Sequence, residues 1–183
     1  LTYPTSTDFG FGTTNWAAEC FIRPTSVTGT QYIFDFRTGS ATDTAPTVYL
    51  NGTALHFGVG NTSQATGGTL STGTLYHVAV ARSGGSTTLF LDGTQVGSTY
   101  TDTNNYGTTK PVAIGSDYNS AANAFAGHID EVRISKAAAR YTANFTAPTS
   151  AFGNDLNTVL LIHFDGTDGS TTITDSSGGV KDI

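Results

Sequence analysis

The sequence predicts an all-β fold, an antiparallel jelly-roll sandwich with one short helical turn, and three observations carry that prediction. The first is composition: 22 Gly, eight Tyr and eleven Phe among 183 residues, many Thr and no Met. Thr and aromatic residues suit a pleated strand, while Gly supplies the positive φ angles of tight turns. The second is spacing, with about ten short apolar runs bounded by Gly, Pro, Asn, Asp or Ser at intervals of roughly 8–12 residues. The third is that no helix of crossover length separates these runs, which parallel pairing would need.

Taken in order, Trp16 to Arg23 (WAAECFIR), Gln31 to Arg37 (QYIFDFR) and Thr47 to Leu50 (TVYL) read as strands. Asn51-Gly52 predicts a hairpin into ALHFGV, because a type I′ turn needs φ > 0 at both central residues. Tyr76 to Ser83 and Thr87 to Leu91 are joined by Gly84-Gly85, and Asp92-Gly93 turns the chain into TQVGS, making a meander. Within YHVAVARS, Tyr76, Val78 and Val80 share one face and His77, Ala79 and Ala81 the other. PVAIG and Ala126 to Ser135 (AGHIDEVRIS) are further strands, and one helical turn is expected at Lys136 to Arg140. The body contains no internal repeat.

The length suits one domain with a substantial core, or one all-β domain with a small appendage. Charged residues are only 12 % and the formal net charge is −6, with eight basic residues spread along the chain. Phosphate binding needs a Lys/Arg stripe, so nucleic acid is excluded as a partner. No apolar run approaches about 18 residues, so membrane insertion is not expected. Cys20 stands alone and cannot form an internal disulfide, which leaves stability to packing or a metal. The missing initiator Met suggests a processed chain or a fragment.

Catalytic signatures are absent. The two glutamates, Glu19 and Glu131, lie in different strands, and no E-x-D-x-E run places carboxylates on one strand face as a retaining glucanase would. There is no G-x-S-x-G elbow, and His56, His77, His128 and His163 lack zinc spacing. An enzyme is therefore not expected. In AGHIDEVRIS, Ile129 is out of phase with Val132 and Ile134, which predicts a β-bulge near Asp130 and Glu131. Such a bulge could turn Asp130 toward Ca²⁺; alternatively Asp130 or Glu131 pairs with Arg133 or faces solvent. The loops TDTNNYG and SDYNSAANAF place Asn104, Asn105, Tyr106, Asp117, Tyr118 and Asn119 as glycan-binding candidates, since amides and carboxylates bond sugar hydroxyls and aromatic faces stack on sugar rings. The same residues are ordinary loop formers.

NWAAECFIRPTS, GTLSTGTLYHVAVARSGGSTTLFLDGTQVGS, PVAIGSD and FAGHIDEVRISKAAARYTANFTAPT together resemble laminin-G-like members of the concanavalin A-like lectin/glucanase superfamily, of the kind found in phage virion and tail-fibre proteins. The resemblance spans roughly Phe9 to Pro148. It implies a two-sheet jelly roll, usually non-enzymatic, that binds glycans or proteins and often holds structural calcium. It also implies Asp130 as a calcium ligand, with Asp175 of DSSG as its companion.

The layout departs from the family, in which a stretch like LLIHFDGTDGSTTITDSSG opens a domain. Here residues 1–153 form the laminin-G-like body, and 154–183 resemble the start of such a domain, either the next repeat or a strand that returns to its own body or is donated to another copy. Val159, Leu160, Leu161, Ile162 and Phe164 are the candidate assembly strand, apolar on both faces and so expected to be buried. The expected function is a non-catalytic glycan-binding module of a virion surface or extracellular appendage, with cell-surface glycans and copies of itself or neighbouring virion or fibre proteins as partners. The alternative is an architectural fibre or capsid-surface subunit linked through its C-terminal strand.

Overall fold

The computed structural model describes residues 1–39, 43–118 and 122–178. Twelve strands form two antiparallel sheets: β1 (Thr2–Ser6), β2 (Trp16–Pro24), β3 (Thr30–Asp35), β4 (Pro46–Asn51), β5 (Ala54–Val59), β6 (Thr62–Gly67), β7 (Tyr76–Ser83), β8 (Ser86–Leu91), β9 (Thr94–Thr101), β10 (Lys110–Ile114), β11 (Gly127–Lys136) and β12 (Thr158–Ile162). The first sheet runs β1-β10-β3-β4-β5-β6 and the second β12-β11-β2-β7-β8-β9. No helix among the described residues is long and apolar enough to cross a membrane.

Alternation decides which side chains fill the space between the sheets. Val78 and Val80 of β7, Val48 and Leu50 of β4, and Leu55 and Phe57 of β5 all point inward and are fully buried. Aromatics dominate one end of this core, where Phe11 stacks on Trp16 with centroids 4.8 Å apart and Phe36 and Tyr106 meet Trp16 edge-on. Such offset and edge contacts add about 0.5–1.5 kcal/mol per pair beyond burial.

The other face of the second sheet is also covered. Ala17, Ala79, Ala81 and Phe90 form a shallow floor on which Tyr141 and Phe145, in the strap that follows β11, are packed. Alanines leave room there for stacked rings, and Tyr141 lies parallel to Phe145. The helical turn expected at Lys136 to Arg140 is not formed. Lys136 ends β11, Ala137 takes φ +62°, and the one short helix among the described residues is the 3-10 turn Thr7–Phe9. Arg140 explains the extended strap, because its guanidinium reaches Ser135, Asp155 and Thr158.

The hairpin at Asn51-Gly52 forms with its turn one residue further on. Asn51 still pairs with Ala54, so Gly52 and Thr53 are the central residues, and of these Gly52 takes φ +61°. A positive φ at the first central position but not at the second marks a type II′ rather than a type I′ turn. Strand β12 lies at a sheet edge and pairs with β11 of the same chain, Ile134 opposite Leu160 and Val132 opposite Ile162. Its open side is covered at Leu161, whose N–H donates to Asp175 Oδ1 at 3.1 Å and whose carbonyl accepts from Ser176 N at 2.7 Å. Strand geometry ends at Ile162: Phe164 adopts φ +55° and is 37 % exposed, so it does not share the burial of Leu160, Leu161 and Ile162.

Candidate functional site

The first predicted glycan loop is a structural device. Asp102 is fully buried and must satisfy its carboxylate internally. Thr87 Oγ1 and Tyr106 OH each donate to it at 2.7 Å, Asn104 donates through both its backbone N and Nδ2, and Arg82 Nε lies 3.6 Å away. Tyr106 is itself fully buried, its phenol raised far above the ordinary value by burial and by Asp102, and Arg82 lies over its ring. No sugar can stack on it. Asn105 accepts from Gly107 N at 2.9 Å, an Asx turn rather than a ligand contact.

The second loop lies elsewhere, against β3. Tyr118 N donates to Asp35 Oδ2 at 3.1 Å, Asn123 Nδ2 donates to Asp117 Oδ2 at 3.2 Å, and Tyr32 N donates to Asn123 O at 2.9 Å. Asn119 lies outside the described residues.

Those contacts lead to the outer face of the first sheet, where a polar aromatic row crosses the strands. Register places Tyr32 of β3 opposite Tyr49 of β4, Tyr49 opposite His56 of β5, and His56 opposite Thr66 of β6. The Tyr32 and Tyr49 rings are 5.3 Å apart, and Tyr49 stacks on His56 at 4.9 Å with planes 8° apart. At strand spacing the row runs about 14 Å from β3 to β6. Rings stacked on one another cannot offer those faces to a ligand, so this surface would work through its edges and polar tips.

Local irregularities make the row possible. Ile33 is an extra residue between the Tyr32–Tyr49 and Phe34–Val48 pairs, so Asp35 comes onto the same face as Tyr32 although three positions separate them. Asp35 Oδ1 then accepts from Arg37 N and Nε, both at 2.9 Å, Oδ2 accepts from the guanidinium at 2.6 Å, and Arg37 lies 4.8 Å over the Tyr32 ring. The third guanidinium nitrogen, Nη1, donates to Asn61. Burial opposes the Arg37 charge, but hydrogen bonding and attraction to Asp35 outweigh it and hold the guanidinium firmly ionised. At the other end, Ser63 Oγ and Thr66 Oγ1 bond His56 Nδ1 at 2.9 and 2.8 Å, and burial lowers the imidazole below its ordinary range. Gly58 keeps the floor clear: a Cβ there would come within 2.7 Å of Thr47 Oγ1 and 3.3 Å of the Tyr49 ring.

Sequence reasoning missed Tyr32, Tyr49 and His56. The available signal was hairpin arithmetic, since Tyr49 and His56 are equally distant from the turn and alternate with the inward residues Val48, Leu50, Leu55 and Phe57.

The expected bulge in β11 is present. Asp130 pairs with Phe21 and Arg133 with Glu19, so Cys20 faces the two residues between them, and Glu131 takes φ +51°. Its beneficiary is Glu131 rather than Asp130. Glu131 accepts from Phe152 N at 2.7 Å and holds His163 Nδ1 at 2.8 Å, joining the strap to the chain beyond β12. Asp130 is exposed, and desolvation together with the charges of Glu131 and Asp165 raises its carboxyl. Asp175 Oδ1 instead accepts from Leu161 N and Ser177 N. Among the described residues no group of three or more His, Cys, Asp or Glu is arranged to hold a metal. Asp175 thus serves the backbone of β12.

The remaining glutamate is enclosed. Under the strap, the buried Glu19 carboxylate meets His77 Nε2 at 3.0 Å, Arg133 at 2.7 and 2.8 Å, and Tyr141 OH at 2.8 Å.

Residues 2–140 match the profile of the Concanavalin A-like lectin/glucanases superfamily. Among solved structures, the mouse laminin alpha1 chain, domains LG4-5, superposes with a TM-score of 0.55 at 16% identity over 81% of this chain and 44% of that one. Full-length tailspike protein 2 of an Escherichia coli O157:H7 bacteriophage gives 0.53 at 16% identity over 70% and 20%, and the enzymatically active domain of that tailspike gives 0.50 at 17% identity over 68% and 22%. The chain thus spans less than half the length of each of these structures. No curated protein matches it.

Proposed function

Because the chain belongs to the concanavalin A-like lectin/glucanase superfamily, we propose that it is a non-catalytic glycan-binding module of a virion surface or other extracellular appendage. The observation that carries this reading is the row of Tyr32, Tyr49 and His56 on the outer face of the first sheet, flanked by Arg37 and the loop of Asp117 and Tyr118. Phenol and imidazole tips in a line suit the hydroxyls of a sugar chain. A binding rather than cleaving role is supported by the carboxylates: Glu19 is sealed under the strap, Glu131 is committed to His163 and Phe152 N, and Asp35 is committed to Arg37 and Tyr118 N. A glycosidase needs a pair flanking the bond to be broken. A single shallow site binds weakly, so adhesion would come from many copies.

The direct test is a glycan array probed with the wild-type chain and with Tyr49→Ala. Binding that the substitution abolishes supports the reading, and silence across a broad array refutes it. A structural Ca²⁺ with Asp130 as a ligand, as the family resemblance implies, is part of the same proposal. The architectural reading retains one observation in its favour, the edge position of β12, whose apolar residues would equally fill the same place in a neighbouring copy.

A further inference from the structure

We infer that the ligand of the aromatic row is an uncharged polysaccharide and that anionic glycans are rejected. The inference rests on the glycan-binding reading above and narrows its ligand class. Recognition of a carboxylate or sulfate normally uses an open guanidinium fork or a free ammonium. Among the described residues the guanidinium on this face is that of Arg37, and its fork is closed on Asp35 through Nε and a terminal nitrogen, with a further bond to Asn61. The pair sums to zero charge. Lys110, in the neighbouring β10, is likewise paired with Asp43. His56 has Ser63 and Thr66 on Nδ1 and is pushed toward its neutral form by burial. What remains in the row is neutral: the Tyr32 and Tyr49 phenols, the His56 ring and the hydroxyls of Ser63 and Thr66. Beneath it Thr47 Oγ1 is buried with no hydrogen-bond partner in the protein. An anionic glycan would shed water here without meeting a counter-charge, on a chain of net charge −6. A span of about 14 Å across the strands exceeds one sugar ring, which favours a polymer over a single terminal sugar.

The test is affinity electrophoresis of the whole chain in gels containing a neutral polysaccharide (galactomannan, mannan or a β-glucan) or an anionic one (alginate, polygalacturonate or chondroitin sulfate). The expected result is retardation by at least one neutral polymer, lost by tenfold or more in Tyr49→Ala, weakened in the stack-preserving Tyr49→Phe, and no retardation by the anionic polymers. Thr66→Lys, an exposed substitution that adds a free cation beside His56, should create anionic retardation. Retardation of the wild type by an anionic polymer that Tyr49→Ala removes overturns this inference and leaves the glycan reading standing. Absence of retardation by both classes overturns the glycan reading and the inference with it.

Discussion

Replacing Glu19 by Gln isolates the electrostatic element that holds the strap to the second sheet. The Glu19 carboxylate is 1 % exposed, and the His77 ring, at 0 %, and the Arg133 guanidinium, at 11 %, converge on it together with Tyr141 OH. Gln keeps the shape but removes the charge and turns an NH₂ group toward a set of donors. Removing one partner of a buried pair costs about 3–5 kcal/mol. Arg133 keeps some access to water and lies 4.6 Å over the Phe152 ring, so the lower end applies, about 3 kcal/mol. For a domain of this size that corresponds to a Tm lowered by about 6–12 °C. Tyr141→Phe, which keeps the stack on Phe145, loses one hydrogen bond to a charge and should cost about half as much.

The pH profile supplies a second readout. Burial raises the Glu19 carboxyl, but hydrogen bonds from His77, Tyr141 and Arg133 and the Arg133 charge outweigh it, so the group sits below its ordinary 4.5. A depressed carboxyl contributes stability that is fully present above its unfolded value and is lost as pH falls through its folded value. Calorimetry should therefore find the whole wild-type advantage at pH 7, and a shrinking one as pH falls below 4.5. A Tm within about 3 °C of wild type at pH 7, or a gap that does not change between pH 7 and strongly acidic buffer, would refute the assignment of Glu19 as the strap's anchor.

Other outcomes follow from the same geometry. Tyr106→Phe removes a donor from buried Asp102 and should cost about 2 kcal/mol by urea unfolding, with no effect on glycan retardation; loss of binding would restore the Asn104 to Tyr106 loop as a sugar site. Deleting residues 157–183 removes the buried Leu160, Leu161 and Ile162, a loss of about 5–9 kcal/mol that is comparable to a domain's whole stability, so the truncated chain should be unfolded or aggregated by circular dichroism and gel filtration. A well-folded truncated monomer would contradict that. Calcium chloride should raise the Tm, and EDTA or Asp130→Asn should remove the increase; an unchanged Tm in all three conditions would dispose of the proposed ion.

What the sequence determined by itself was local. Strand alternation such as Val78 and Val80 against Ala79 and Ala81, the two-residue turns at Gly84-Gly85 and Asp92-Gly93, and the phase break at Asp130 are visible in the chain because each depends on a period of two or on the φ preference of one or two residues. The family was legible for the same reason, through motifs spread over the strands. The edge strands β1 and β6 were not, since Thr2–Ser6 and Thr62–Gly67 are mostly polar, and each sends one buried side chain into the core, Tyr3 and Ala65, too few to show a period of two. Only the tertiary structure decided which polar residues are available for binding. Tyr106 lies in a polar loop and Tyr49 in a strand that runs into a turn, and neither setting tells whether the ring is available to a ligand. Pairing register leaves Tyr49 in a row with Tyr32 and His56, while the demand of a buried Asp102 for donors draws Tyr106 into the core. A buried charge must recruit partners from wherever the fold brings them, and that requirement acts through space, across separations that no local pattern records.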